Sequence, residues 1–142
     1  MTAAAKTTFG TVLRLAVSGG SLATVAELTS ITPPAFTRAS VDATSHDSAS
    51  GAMEYIPDGV FDVGEIPIEG HLILGSTNDN FFTTAINSAQ VLDCEIIGKA
   101  ASGTRKWAGK AIVTAYEPGA MPLQGKQTFS ATLKGTGPWT QS

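Results

Sequence analysis

The longest uninterrupted apolar run in this chain is three residues, as in Leu72-Ile73-Leu74 and Ala111-Ile112-Val113, and apolar and polar residues alternate one by one through several segments. A period of two places every second side chain on the same face of an extended strand. The pattern therefore calls for half-buried strands and forbids a membrane-spanning helix. Composition agrees: 18 Thr, 9 Ile and 8 Val favour extended backbone, while 15 Gly and 7 Pro supply turns between short strands. The 20 Ala and 12 Ser keep side chains small, so ordering them costs little rotamer entropy. A chain of 142 residues fits one domain, 1–142, burying roughly two thirds of its unfolded surface. Cys94, the single cysteine, excludes an internal disulfide framework and any multi-cysteine zinc site. Met1-Thr2-Ala3-Ala4-Ala5-Lys6 has no apolar segment behind its basic residue, so a soluble product made in the cytoplasm is expected, with no secretory signal.

Thr11 to Val17 alternates, with Leu13, Leu15 and Val17 on one face. Ser18-Gly19-Gly20-Ser21 is a turn, and Leu22 to Leu28 reads as a return strand before Thr32-Pro33-Pro34 stops regular pairing. Phe36 to Thr44 alternates again, Thr37, Ala39, Val41 and Ala43 opposing Arg38, Ser40 and Asp42. Ser45 to Gly59 is mostly small and polar and ends in the breakers Pro57-Asp58-Gly59, which predicts one long loop; loops of that length are usually functional or disordered in isolation. Gly64 to Leu74 returns as a strand with Ile66, Ile68, Leu72 and Leu74 on one face, Pro67 marking an edge and Gly70 a bulge or close approach. Ser76-Thr77-Asn78-Asp79 offers helix caps, after which Phe81, Phe82, Ala85, Ile86 and Ala89 recur at helical spacing. Val91 to Ile97 places Leu92, Cys94 and Ile96 inside and Asp93 and Glu95 outside. The Gly98 to Gly103 turn then joins it to Arg105 to Tyr116 as a β-hairpin. Past a loop with Pro118-Gly119 and Pro122, Thr128 to Lys134 sets Phe129, Ala131 and Leu133 against Thr128, Ser130, Thr132 and Lys134. The fold class is mainly β, a β-sandwich or partly closed barrel with one short flanking helix.

Charge is segregated along the chain. Asp42 to Glu95 holds ten acids and neither Lys nor Arg, a charge of −10, whereas residues 96–142 carry +5 and residues 1–41 carry +2. Two readings remain open: acidic and basic strands paired within one sheet, or two poles that complement a second copy head to tail and build a filament. Gripping of nucleic acid is disfavoured, because it calls for net positive charge and a concentrated basic face.

Chemistry-bearing patterns are sparse. His46 and His71, the only histidines, stand 25 residues apart with no further ligand at metal-site spacing. Cys94 alternates with Leu92 and Ile96, which places it in the core as an inert hydrophobe. Glu65 with Glu69 could form an acid and base pair, yet every acidic strand offers such pairs and solvated charges are the simpler reading. Trp107, Trp139, Tyr55 and Tyr116 do not cluster as a stacking platform and suit packing instead. With no phosphate loop and no G-x-S-x-G elbow, neither an enzyme nor a cofactor is expected.

Val41-Asp42-Ala43-Thr44-Ser45-His46-Asp47-Ser48, then Glu54-Tyr55-Ile56-Pro57-Asp58-Gly59 and Gly64-Glu65-Ile66-Pro67-Ile68-Glu69-Gly70, and finally Thr128 to Gly137, follow one another in an order that resembles the tail tube (major tail) proteins of long-tailed bacteriophages and related particles. The resemblance spans about residues 36–137, with the helix in the matching place. It implies a structural virion protein forming hexameric rings whose strands close one continuous barrel, with rings stacked into a hollow tube. Its partners would be copies of itself and the terminator, tape measure and baseplate or tip proteins. DNA would pass through without sequence-specific binding, and no membrane would be involved. In that frame His46, Asp47, Met53, Glu54, Tyr55, Ile56 and Asp58 belong to an inter-ring loop, and Asp42, Glu65, Glu69, Lys110 and Lys134 are candidates to face the channel. Lys110 and Lys134 depart from a uniformly acidic lumen. The alternatives are a β-sandwich binding or adhesion module recognising another protein, and a small ligand-binding barrel, which would need a preformed apolar pocket.

Overall fold

A computed structural model describes residues 10–100 and 103–142; Met1 to Lys6 and part of the Gly98 to Gly103 turn lie outside the described residues. The elements are β1 (Val12–Val17), β2 (Ala23–Thr24), β3 (Leu28–Ile31), β4 (Phe36–Asp42), β5 (Tyr55–Val63), β6 (Glu65–His71), α1 (Thr77–Asn87), β7 (Val91–Lys99), β8 (Thr104–Pro118) and β9 (Thr128–Gln141). Seven strands form one antiparallel sheet in the order β2-β1-β7-β8-β9-β6-β3, curled into a half-barrel, and β4 with β5 makes a separate two-stranded ribbon. The architecture is thus mainly β with one helix, as the alternation demands.

One face of the sheet is dry. Leu13 and Leu15 of β1, Leu92, Cys94 and Ile96 of β7, Ala111 and Val113 of β8, Phe129, Ala131 and Leu133 of β9, and Ile66 and Ile68 of β6 form a contiguous buried core. Helix α1 closes it. Ser76 caps the helix by accepting from Asp79 N at 3.3 Å, and Phe82 enters the core, stacked on Tyr116 at 5.5 Å and tilted against Phe129 at 5.9 Å. Ile86, expected on the buried face, is exposed instead; Phe82 and Ala85 are the buried residues of this short helix, and Phe81 packs partly buried beside them. Trp139 fills the space over Gly109, where a Cβ would lie 2.5 Å from the indole, and donates from Nε1 to the Lys110 carbonyl at 2.9 Å.

Four expectations need correction. Tyr55 to Gly59 is strand, so the loop is shorter than Ser45 to Gly59 and contains a single 3-10 turn at Ala49–Gly51. Pro57 and Gly59 do not break β5, because a two-stranded ribbon leaves one edge of each strand without ladder partners. The Leu22 to Leu28 strand shrinks to Ala23–Thr24; Glu27 takes a left-handed φ of 64°, which redirects the chain so that Leu28–Ile31 pairs with β6 instead. Strand β6 ends at His71, and Leu74 is exposed rather than buried. Pro67 lies not on the sheet's edge strand but on the one beside it, one residue past the Ile31–Ile68 pair that ends the β3 ladder. Gly70 does mark a close approach: a Cβ there would sit 2.5 Å from the Glu27 carbonyl oxygen.

Candidate functional site

The second face of the sheet is wet, and it collects four of the five channel candidates. Glu65 stands opposite Lys134, Glu69 opposite Ser130, and Lys110 opposite Asp93, so strand register puts all of them on one surface together with Thr132 and Arg14. Asp42 does not join them; it ends β4 on the ribbon, where its carboxylate accepts from Thr44 N at 2.9 Å and is held below the usual range mainly by the Thr44 hydrogen bonds.

Four cations on this wet face are already committed, whereas Lys99, which the β7 register sets on the same side, makes no ion pair among the described residues. Lys110 Nζ lies 2.9 Å from Asp93 Oδ1 and 2.8 Å from Ser18 Oγ, and Asp93 Oδ2 accepts from Gly19 N at 3.2 Å. Lys110 first, and Gly19 second, hold the Asp93 carboxyl below its ordinary range. Lys134 Nζ lies 3.0 Å from Asp62 Oδ1 and also donates to the Val63 carbonyl. Arg14 and Lys106 both flank Glu95 at 3.6 Å. Glu95 was expected outside and does point to the wet face; it is buried because these two cations cover it. The within-sheet reading of the charge pattern is therefore realised for Asp93 and Glu95, whereas Asp62 pairs with Lys134 between the ribbon and the sheet. Asp42, Asp47, Glu54, Asp58, Glu65 and Glu69 make no ion pair among the described residues.

The ribbon is the second distinctive surface. Phe36 and Phe61 meet at 6.5 Å at its root, Arg38 lies 5.1 Å over the Phe61 ring, and Asp42 pairs with Tyr55 near the tip. Of the inter-ring candidates, His46, Asp47, Met53 and Glu54 occupy the tip loop, whereas Tyr55, Ile56 and Asp58 are on β5. Apolar Val41, Met53, Tyr55, Ile56 and Val60 are exposed along it. A lone two-stranded hairpin is at best marginally stable in water, and this ribbon is tied to the sheet at its root by Phe36, Val63 and the Asp62–Lys134 pair. Sequence reading also passed over a second exposed apolar cluster, Ile73, Leu74, Met121 and Leu123; apolar residues inside the Pro118 to Gln127 loop were the available signal.

Among the described residues the candidate groups are not brought together. Burial pushes the Cys94 thiol up to about 12. Glu65 and Glu69 are both exposed, and no group of three His, Cys, Asp or Glu among the described residues could hold a metal ion. His71 Nδ1 is buried without a partner among the described residues, and His46 lies in the ribbon loop. Trp139 is a core residue and Trp107 packs against the core. Tyr116 donates to Asp79 Oδ1 at 2.6 Å, anchoring α1; this contact first, and Gly75 N second, hold the Asp79 carboxyl low. Among the described residues no helix is long and apolar enough to cross a membrane.

No protein-family model and no curated protein matches the chain. Solved structures do. The chain is similar to the tail of an empty gene transfer agent particle of C6 symmetry, at 18% identity and a TM-score of 0.74 over 97% of this chain and 99% of that one. The fold is that of a tail tube. The chain is also similar to a chain of the anti-feeding prophage baseplate, at 9% identity and a TM-score of 0.71 over 100% of this chain and 97% of that one. The SPP1 tail tube matches at 9% identity and a TM-score of 0.62, over 92% of this chain and 75% of that one.

Proposed function

We propose that this protein is a structural subunit that forms hexameric rings, stacked into the hollow tail tube of a phage or phage-like particle. One observation carries the reading: an open half-barrel that is dry on one face, wet and ion-paired on the other, and ends in two edge strands, β2 and β3, with no further partner among the described residues. Open edges invite pairing with another chain, and closure of a barrel removes them. Rings of the C6-symmetric kind, as in the gene transfer agent tail, would join the edges of neighbouring sheets and turn every wet face toward a common channel.

That wall suits passage of DNA. A free Lys or Arg replaces phosphate counterions and holds the duplex, and here Lys110, Lys134, Arg14 and Lys106 are each engaged by a carboxylate of the same subunit. Glu65 and Glu69, which make no ion pair among the described residues, add repulsion. The role is structural rather than catalytic. Its further partners are the terminator, tape measure and baseplate or tip components, and its destinations are the host cytoplasm before assembly and the virion after it.

Negative-stain microscopy and sizing of concentrated protein test this. Rings with a central hole, and tubes built from them, are expected. A strictly monomeric species at high concentration, with initiator proteins present, refutes the proposal, and a monomer that captures a different protein favours the adhesion module.

A further inference from the structure

The loop joining β8 to β9, Gly119 to Gln127, is pinned at its base and bare at its tip. Gly119 N donates to the Thr128 carbonyl at 2.7 Å, Gln127 Nε2 donates to the Gly119 carbonyl at 2.8 Å, and Leu72 N donates to the Gln127 carbonyl at 2.9 Å. The last bond ties the loop to the segment carrying Ile73 and Leu74, which are 60% and 57% exposed. Met121 is 69% exposed and Leu123 fully so. Four large apolar side chains thus stand uncovered at one end of the sheet, on a base held by backbone hydrogen bonds. Lys126 is the only charged residue of this loop, and it makes no ion pair among the described residues.

The ribbon is the complement. Its exposed apolar residues are Met53, Tyr55, Ile56 and Val60, and its acids Asp42, Asp47, Glu54 and Asp58 are free of ion pairs among the described residues. Within one subunit the two surfaces cannot meet. The loop precedes Thr128 at the start of β9, whereas the ribbon root lies with Phe36, Arg38 and Phe61 around a hollow shared with Trp139 and Gln141 at the strand's far end. The ribbon joins the sheet beside Lys134 and Gly135, roughly 20 Å along β9 from Thr128, and runs on past Trp139 and Gln141, away from the loop. Two complementary surfaces at opposite ends of one molecule make a head-to-tail contact that repeats without closing, which is how a stack of rings grows.

We infer that the Gly119–Gln127 loop, with Ile73 and Leu74, is the seat on which the β4–β5 ribbon of a second copy in the adjoining ring docks. The inference rests on the tube reading above and adds the receiving surface. Its contacts are apolar at the centre, with Lys126 meeting the ribbon's carboxylates at the rim.

A chain carrying both Leu123→Cys and Ile56→Cys tests it. Both side chains are exposed, so the subunit folds, and Cys94 stays buried and unreactive. Oxidised tubes should yield a ladder of disulfide-linked multimers, and the unassembled fraction none. Independently, Lys126→Glu should slow elongation several-fold, with recovery when Asp58→Lys is added on the ribbon. Tubes that form normally yet give no ladder and no response to Lys126→Glu overturn the seat while leaving the tube reading intact. Linked dimers without higher multimers overturn it as well, since they report a symmetric contact. If the unaltered chain makes no rings or tubes at all, the tube reading fails and this inference falls with it.

Discussion

If the wet face lines the channel of a tube, as proposed, replacing Asp93 by Asn should turn it into a wall that holds duplex DNA. Asp93 is the carboxylate that engages Lys110, at 2.9 Å, while its second oxygen accepts from Gly19 N. Asparagine keeps the shape and an acceptor for Gly19, so the turn after β1 survives and only the charge disappears. Each subunit then releases one ammonium, which a hexameric ring multiplies to six. Binding of B-DNA weakens with salt by a logarithmic slope of about 0.9 for each phosphate neutralised, so a ring of freed Lys110 residues adds about 5 to the slope. Six such contacts cost roughly 1,000-fold in affinity between 50 and 200 mM salt. The measurement is co-sedimentation of a labelled short duplex with assembled tubes over that salt range. Unaltered tubes should retain little duplex with a shallow slope, and Asp93→Asn tubes should retain it at low salt and lose it steeply. Asp62→Asn makes a parallel test, because it removes the carboxylate that engages Lys134, which keeps its bond to the Val63 carbonyl as Lys110 keeps its bond to Ser18 Oγ. Equal slopes for all three tubes would refute the idea that intrasubunit pairing is what keeps this wall from gripping phosphate.

Gly109→Ala drives a Cβ into the Trp139 indole and breaks its bond to Lys110; it should destabilise the subunit by about 2–4 kcal/mol in urea unfolding, with a displaced Trp139 indole N–H resonance. Tyr116→Phe keeps the ring stacked on Phe82 but removes the charge-assisted bond to Asp79, for a loss of about 1–2 kcal/mol at neutral pH. Because the Asp79 carboxyl is held low in the folded state, its contribution is present above the ordinary carboxylate range and fades as pH falls through the depressed value; the acid limb of stability against pH should therefore be shallower in Tyr116→Phe than in the parent. Asp47→Lys combined with Asp58→Lys should slow tube growth without unfolding the subunit, and 1 M salt, where the Debye length is about 3 Å, should slow the parent too; elongation followed by light scattering checks both. Amides of the ribbon tip, 43–54, should exchange quickly in the free subunit and slowly in tubes, and equal protection in both states would count against an inter-ring ribbon.

The core strands were legible because each buries one face, and burial of one face leaves a period of two in the sequence. Leu92, Cys94 and Ile96, and Phe129, Ala131 and Leu133, are buried as their alternation requires, and Ser76 caps the helix as its position before an apolar repeat suggests. Neither the extent of β5 nor that of β9 could be read the same way. Pro57-Asp58-Gly59 and Gly135-Thr136-Gly137-Pro138 carry the residues that ordinarily end strands, and both lie inside one. In β5 the ribbon leaves an outer edge that needs no donor. In β9 the glycine at 135 is required by a neighbour distant in sequence, since a Cβ there would lie 2.3 Å from Val63 Cγ1.

By itself, then, the sequence determined a mainly β chain with a single flanking helix, the faces that would be dry, and the surplus of acid between Asp42 and Glu95. These are local properties, written in spacing and composition. Which acids are neutralised and which stay free was decided only by tertiary structure, because an ion pair depends on register between strands far apart in the chain: Lys110 finds Asp93, and Lys134 finds Asp62 across 72 residues. The same holds for the two apolar surfaces. Met53 and Leu123 are both just hydrophobic residues in loops until the sheet sets them at opposite ends of the molecule, each exposed among the described residues.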